Sequence, residues 1–90
     1  MDEALRLKPE YSNALDSRAF VYFKLGQVDR SIEDYDAALR VEPRKAHSLY
    51  GRGLAKRRKA DLAGSEADVA AANAISPRIA EQYRGYSIPP

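Results

Sequence analysis

Apolar residues recur along residues 12–45 at the spacing of a helix rather than of a strand. Leu15, Ala19 and Tyr22 lie at i, i+4 and i+7, which places their side chains on one side of an α-helix. A second stripe follows after a turn and consists of Ile32, Tyr35, Ala38 and Leu39. The pattern therefore predicts two amphipathic helices, the first over residues 12–25 and the second between Asp29 and Pro43.

Residues that begin or end helices occur at these predicted boundaries. Ser12 or Asn13 can cap the first helix, because a side-chain oxygen accepts hydrogen bonds from the free amides of the first turn. Gly26 follows that helix and supplies a stop. Asp29 and Asp61 are predicted N-caps of later helices.

The same pattern starts again after Pro43. It predicts helices over residues 46–59 and 62–75, and a last short helix over residues 78–84. The inward stripe of the helix over residues 62–75 consists of Val69, Ala72 and Ile75. The last helix is predicted to turn Ile79, Ala80 and Tyr83 inward.

A constant interval relates these segments. Pro9, Pro43 and Pro77 lie 34 residues apart, and each proline marks a place where a second helix has ended. The same interval separates the members of further columns: Ala4, Ala38 and Ala72; Leu7, Val41 and Ile75; Leu15 and Leu49; Arg18 and Arg52; Asp34 and Asp68. Small residues in one column indicate points where helices approach closely.

At residues 4–77 the chain resembles the tetratricopeptide repeat family, whose motif runs W-x2-L-G-x2-Y, then A-x3-F, then P. The matching residues of the first unit are Leu15, Ala19, Tyr22, Ser31, Tyr35, Ala38 and Pro43. Those of the second unit are Leu49, Gly53, Ser65, Val69, Ala72 and Pro77. The departures are Arg18 and Arg52 in the Leu slot and Lys56 in the second Tyr slot, and Lys56 is expected to loosen the packing of its unit.

The resemblance implies an all-α solenoid, in which antiparallel helix pairs stack into a right-handed superhelix. Residues 1–9 are then the remnant of a preceding second helix, and residues 12–45 and 46–79 are full repeats. Residues 78–84 form a capping helix, and residues 85–90 an irregular tail. Such arrays usually need three or more units to bury a continuous core. The truncated N-terminal face, with Leu5 and Leu7, is therefore expected either to fray or to pair with another copy as a homodimer.

In this family the first helix of each pair lines the concave side, and the resemblance implies a non-catalytic scaffold that binds a peptide or protein there. The residues expected on that side are Asn13, Asp16, Ser17, Phe20, Phe23, Lys24, His47, Tyr50, Gly51, Leu54, Arg57 and Arg58. Aromatic and Arg side chains dominate binding hot spots. Phe20 and Phe23 therefore contact a partner, or alternatively fill space between adjacent pairs.

The basic run at residues 56–59 has two interpretations. It lies at a helix C-terminus, where the helix dipole favours cations, or it forms a patch for an anion or acidic peptide. Nucleic acid is not expected, because one basic turn offers few phosphate contacts and no aromatic residues for stacking.

One family function can be compared residue by residue. Members that bind chaperone C-terminal tails hold the peptide carboxylates with a clamp of Lys, Asn and Arg. The corresponding positions here carry Asp16, Ser17, Phe20, His47 and Gly51. None is a clamp residue, and Asp16 is expected to repel a carboxylate, so chaperone tails are not expected partners.

Composition excludes little else. The 90 residues contain no cysteine and carry a net charge of +2, which is too small to imply a polyanion partner. No apolar run approaches the ~20 residues of a membrane span, so no membrane partner is expected. His47 has no nucleophile paired with it by sequence, and Glu33, Asp34 and Asp36 are expected on a solvated helix face without converging on a metal. We therefore expect no catalysis, cofactor or metal.

Overall fold

The computed structural model describes residues 9–84, which form five α-helices and no strand. The helices are α1 (Pro9–Lys24), α2 (Val28–Val41), α3 (Ala46–Arg58), α4 (Leu62–Ile75) and α5 (Ile79–Arg84). The predicted helix type is confirmed for every segment, and the bounds of α4 are those predicted. The expectations for residues 1–8 and for the tail at residues 85–90 lie outside the described residues. So do Ala4, Leu5, Leu7 and the N-terminal dimer face.

The helices are arranged as two stacked pairs followed by one further helix. α1 packs along α2, and α3 packs along α4. Short turns join the members of each pair, which is the connection of an antiparallel helical hairpin. Between the pairs α3 contacts both α2 and α1, and α5 contacts α3 and α4. The first helices α1, α3 and α5 therefore follow one another along the stack.

The start of α1 differs from the prediction. Its bounds include Pro9–Tyr11, and proline is tolerated in a first helical turn, where its missing N–H would have no helical acceptor. Ser12 does not cap the helix, because it is buried and donates a hydrogen bond to Glu42 Oε1 at 3.2 Å.

The start of α2 also differs, whereas the predicted cap of α4 is confirmed. Asp61 accepts a hydrogen bond from the backbone N–H of Gly64 at 3.0 Å. In the first pair the N-cap is Gln27, and its side chain makes no capping bond. Asp29 lies inside the first turn, where it accepts a hydrogen bond from Lys59 Nζ at 2.6 Å. The carboxylate of Asp29 therefore binds Lys59 of the next repeat instead of capping α2 as was predicted.

The turns within the two pairs have the same backbone geometry with different residues. Gly26 ends the first turn with φ of +82°, and Ala60, one interval later, has φ of +70°. Both angles lie in the left-handed region that favours glycine. The predicted stop at Gly26 is confirmed.

Alanines allow the helices to approach closely at the core. Ala19, Ala38, Ala55 and Ala72 are fully buried, which confirms the close approach predicted for Ala38 and Ala72. Leu39, Leu49 and Ala72 form one apolar cluster with Ile79 and Tyr83 of α5. Ile79 and Tyr83 are buried as predicted, whereas Ala80 is only half-buried.

Ion pairs explain the two arginines that depart from the family motif. Arg18 donates from Nε and Nη2 to Asp34 at 2.7 and 3.0 Å. Arg52 binds Asp68 in the same way and also donates to Asp36 at 2.8 Å. The expectation that Asp34 lies outside is therefore wrong, because its carboxylate is buried under Arg18.

Lys56 joins this network instead of loosening its unit. Its ammonium lies 3.1 Å from Asp68 Oδ2. Burial by itself raises the pKa of Asp68, but the hydrogen bonds from Arg52 and Lys56 outweigh burial and hold the pKa below its ordinary value. The polar side chain of Lys56 therefore has a charged partner where the motif has an aromatic ring.

Candidate binding surface

The exposed side of α1 and α3 carries most of the residues predicted for binding. Asn13, Ser17 and Lys24 are exposed on α1, and Phe20 is half-buried between them. Of the residues predicted for binding on α3, His47, Tyr50 and Leu54 are half-buried. The amide oxygen of Asn13 also accepts a hydrogen bond from Lys45 Nζ.

Tyr83 of α5 lies among the aromatic residues of this side. Its hydroxyl donates to the backbone carbonyl of His47 at 2.7 Å. Its ring centroid lies 6.2 Å from that of Phe20 in an edge-to-face arrangement and 4.8 Å from that of Tyr50. The chain thus covers part of this aromatic surface with its own last helix. The sequence does contain a signal that Tyr83 belongs to this surface, because Tyr83 follows Leu15 and Leu49 at the 34-residue interval.

Gly51 is buried, so the expectation that it faces a partner is wrong. A Cβ atom at this position would collide with the ring of Tyr35 and the hydroxyl of Tyr83. The two tyrosine side chains are hydrogen-bonded to each other, while burial raises the pKa of Tyr35 despite that bond. The missing side chain of Gly51 therefore lets residues of α2 and α5 meet across α3.

Asp16 is not on the open side as predicted, since only 5% of it is exposed. Its Oδ1 lies 2.8 Å from His47 Nδ1, and its Oδ2 accepts a hydrogen bond from the hydroxyl of Ser48. These donors come from the first turn of α3, which packs against α1. Asp16 therefore joins the two first helices. We had expected an open Asp16 to repel a peptide carboxylate. That expectation is wrong, because Asp16 is buried.

Phe23 is also buried, with 5% of its surface exposed. The guanidinium carbon of Arg58 lies 4.6 Å from the centre of its ring. The sequence left open whether these phenylalanines contact a partner or fill space between the pairs, and the structure gives a different answer for each. Phe23 fills space between the pairs, whereas Phe20 is half-buried, with the ammonium of Lys24 5.5 Å from its ring centre.

The basic run is divided among several contacts. Lys56 pairs with Asp68, and Lys59 with Asp29; the hydrogen bond that Lys59 donates to Asp29 raises the pKa of Lys59. Arg58 covers Phe23. Arg57 is exposed and lines a groove with α4 residues. The four cations therefore do not form one patch.

A group of open residues on α1 and α3 remains after these corrections, and we call it the first-helix face. Its members are Asn13, Ser17, Phe20, Lys24, Tyr50, Leu54 and Arg58. Aromatic and aliphatic area lies at its centre, and Lys24 and Arg58 are its cations. Neither cation pairs with a carboxylate of residues 11–83.

In that same range no group of three or more His, Cys, Asp or Glu residues could hold a metal ion. None of the described helices is long and apolar enough to cross a membrane.

Comparison with known proteins agrees with this architecture. Residues 19–59 match the family model described as TPR repeat. Neither the curated proteins nor the solved structures that were compared give a significant match. The matched segment runs from the middle of α1 to the end of α3 and includes the contact between the pairs. TPR repeats generally mediate protein–protein interaction and are typically non-catalytic. The match over residues 19–59 supports a tetratricopeptide repeat in this part of the chain, and the packing of adjacent helix pairs fits a helical-repeat solenoid.

Proposed function

We propose that the chain is a non-catalytic scaffold that binds a peptide or protein segment on its first-helix face, with residues 12–45 and 46–79 as its two full repeats. The observation that carries the proposal is the half-buried group of Phe20, Tyr50 and Leu54 on adjacent first helices. These side chains are held in place by the core below them and keep part of their surface open.

A partly buried aromatic group is suited to binding, because its position is already ordered before a partner arrives. Phe20 and Tyr50 pack on Tyr83, which is itself fixed by its hydrogen bond to the carbonyl of His47. Less side-chain entropy is then lost on association. Aromatic anchors of this kind supply much of the binding energy of protein interfaces.

The charges of the face favour an acidic segment. Lys24 and Arg58 are exposed, and each lies over a phenylalanine ring instead of beside a carboxylate of the described chain. A carboxylate of a partner can pair with either cation without displacing an existing ion pair. The preferred ligand is therefore a segment that combines an apolar side chain with Asp or Glu.

A displayed peptide library tests the proposal. We expect selection to enrich peptides with an apolar residue flanked by acidic ones. The double variant Lys24→Glu and Arg58→Glu is expected to weaken their affinity at least tenfold in fluorescence anisotropy. Arg40→Glu, which reverses an exposed charge on the second helix α2, is the matched control and is expected to retain the affinity.

Selection of basic peptides, or of peptides whose affinity the double variant leaves unchanged, would refute this assignment. The alternatives have weaker support. Two of the four cations at residues 56–59 already pair with carboxylates, so no observation favours a nucleic-acid contact. Self-association through the N-terminal face concerns residues outside the described part of the chain.

A further inference from the structure

A buried carboxylate lies at the contact between the first helices α1 and α3. Asp16 of α1 is only 5% exposed, and its oxygens meet the first turn of α3. Oδ1 lies 2.8 Å from His47 Nδ1, and Oδ2 accepts a hydrogen bond from the hydroxyl of Ser48. An ionised carboxylate has no proton to donate, so the imidazole donates from Nδ1. This bond therefore selects the Nδ1–H form of the ring and fixes its orientation.

The position of Asp16 suits the start of α3. The N-cap of α3 is Lys45, whose side chain makes no capping bond, and the first turn of α3 contains no acidic residue. The free N–H groups and the dipole of a helix favour an anion at its N-terminus. Asp16 supplies that anion from the preceding first helix.

Two ion pairs attach α3 to α2 at other points. Arg52, in the middle of α3, donates to Asp36, and Lys59, which directly follows α3, donates to Asp29. These contacts hold the later turns of α3 on the second helix of the preceding repeat. His47 attaches the first turn to α1 instead. The inclination of α3 between its two neighbours therefore depends on the bond that His47 makes.

The pair of Asp16 and His47 stands next to aromatic residues of the first-helix face on both helices. On α1, Asp16 and Phe20 lie at i and i+4. On α3, His47, Tyr50 and Leu54 lie at i, i+3 and i+7. Residues at these spacings are neighbours on one side of a helix. A change in how the pair is joined therefore displaces Phe20 and Tyr50 relative to each other.

Tyr83 of α5 connects His47 to both aromatic residues. Its hydroxyl donates to the backbone carbonyl of His47 at 2.7 Å, and the centroids of the two rings are 4.6 Å apart. The Tyr83 ring also lies 6.2 Å from that of Phe20 and 4.8 Å from that of Tyr50. His47 thus holds, through its carbonyl, the ring on which Phe20 and Tyr50 pack.

This arrangement belongs to one junction of the stack and does not recur with the 34-residue interval. One interval later, the positions of Asp16 and His47 carry Tyr50 and Glu81. The arginine–aspartate pair inside each repeat, by contrast, occurs twice with the same geometry. The recurring pattern that holds a repeat together therefore does not require the bond between Asp16 and His47.

We propose that His47 is a positioning residue of the first-helix face. Asp16 holds its ring and Tyr83 holds its carbonyl, and together these bonds set the spacing of Phe20 and Tyr50. The proposal rests on the function proposed above, because it concerns the same face, but His47 acts through the two aromatic residues. A segment that bridges α1 and α3 then meets rings whose spacing is set before it binds, which limits the entropy lost on association.

Two substitutions of His47 separate its bond to Asp16 from its ring. His47→Phe keeps a planar ring but cannot donate to Asp16, whereas the amide of His47→Asn can. In nuclear Overhauser spectra of the free chain, we expect cross-peaks between the ring of Tyr83 and those of Phe20 and Tyr50 in the natural chain. His47→Asn is expected to retain them, and His47→Phe to weaken at least one set at least twofold.

Binding is expected to follow the same order. His47→Phe should weaken the affinity for the selected acidic peptides at least fivefold in fluorescence anisotropy, and His47→Asn should change it less than twofold. The spectra of the free chain need no peptide. A library selection that yields no ligand would therefore refute the proposed function, while the comparison of ring contacts would still decide the role of His47.

Two further variants separate positioning from stability. Asp34→Ala removes a carboxylate that is as buried as Asp16 but lies within one repeat, so it is expected to retain the ring contacts and the affinity. Asp16→Leu combined with His47→Leu leaves neither charge buried without its partner. This chain is expected to stay folded in circular dichroism and to lose ring contacts as His47→Phe does.

Unchanged ring contacts in His47→Phe and in the double leucine chain would overturn the proposal, and so would an equal loss in Asp34→Ala. A loss in His47→Asn equal to that in His47→Phe would overturn the role given to the bond with Asp16. Altered ring contacts with unchanged peptide affinity would also overturn the proposal, because the spacing of Phe20 and Tyr50 would then not affect binding.

Discussion

Arg52 holds Asp68 with two hydrogen bonds, from Nε at 2.8 Å and from Nη2 at 2.9 Å. Arg18 holds Asp34 with the same two atoms one interval earlier, but there the arginine side chain is 61% exposed against 22% for Arg52. The pair links the first and second helix of each repeat. Since Asp36 of the preceding repeat also accepts from Arg52, the later pair connects the two repeats as well.

Asp68→Ala is expected to lower the free energy of unfolding by about 1–2 kcal/mol, because Arg52 and Lys56 lose their shared partner. This is less than for a fully buried ion pair, since both cations keep some access to water. Asp34→Ala is the matched control and should cost less, because Arg18 is more exposed. Urea unfolding measures both, and an equal effect of the two substitutions would contradict the expected role of burial.

The lowered pKa of Asp68 predicts how stability depends on pH. A carboxyl group that ionises more readily in the folded state contributes stability above its unfolded pKa, about 3.9. That contribution is lost as the pH falls through the lower folded value. The stability of the natural chain should therefore decline below about pH 4 more steeply than that of Asp68→Asn, as urea midpoints across this range would record.

Ala60→Gly is expected to stabilise the chain by about 0.5–1 kcal/mol, because Ala60 has φ of +70° and only glycine adopts this conformation without cost. Gly26→Ala is the reciprocal change and should destabilise by about 1 kcal/mol. A Cβ at Gly26 meets no other atom within 4 Å, so that cost is purely conformational. Loss of stability in Ala60→Gly would show that the turn tolerates alanine.

Gly51→Ala is expected to destabilise the chain by about 1–3 kcal/mol, because the added methyl group overlaps Tyr35 and Tyr83. Helix propensity alone would favour alanine by up to about 1 kcal/mol, so the sign of the change tests the packing. Ser17→Ala alters the equivalent exposed position of α1 and should change stability by no more than about 0.5 kcal/mol. Thermal unfolding of both variants provides the comparison.

Phe23→Leu and Phe20→Leu are expected to separate folding from binding. Phe23 is buried under Arg58, so its substitution should cost about 1 kcal/mol of stability. Phe20 is half-buried, so its substitution should change stability by less than about 0.5 kcal/mol but weaken binding of the selected acidic peptides. Paired urea and anisotropy measurements test this, and the opposite ranking would reverse the roles given to the two rings.

The helices could be predicted because their signals are local. A stripe such as Leu15, Ala19 and Tyr22 needs only the helical period, and Asp61 caps α4 through the amide of Gly64, three residues away. The interval between Pro9, Pro43 and Pro77 also predicted the pairing of helices. Asp29 was assigned as a cap because the competing partner, Lys59, lies in the following repeat.

The binding surface was harder to predict, because exposure depends on neighbours from distant parts of the chain. Phe20 and Phe23 are three residues apart on one helix, and the local pattern does not distinguish them. Arg58 covers the ring of Phe23, while the rings of Phe20 and Tyr83 meet in an edge-to-face arrangement. Asp16 was placed on the open side for the same reason, since its donors come from α3.

The helical class, the 34-residue interval and most of the helix ends follow from the period of apolar side chains and from Pro and Gly, so local patterns were enough to predict them. Which side chains of the first helices stay open, and which charges are already paired, became apparent only from the packed helices. Burial and ion pairing are properties of contacts between helices, which a local pattern does not contain. Asp16, Phe23 and Arg57 acquire their environments only when α3 packs on α1 and α2, and α4 packs on α3.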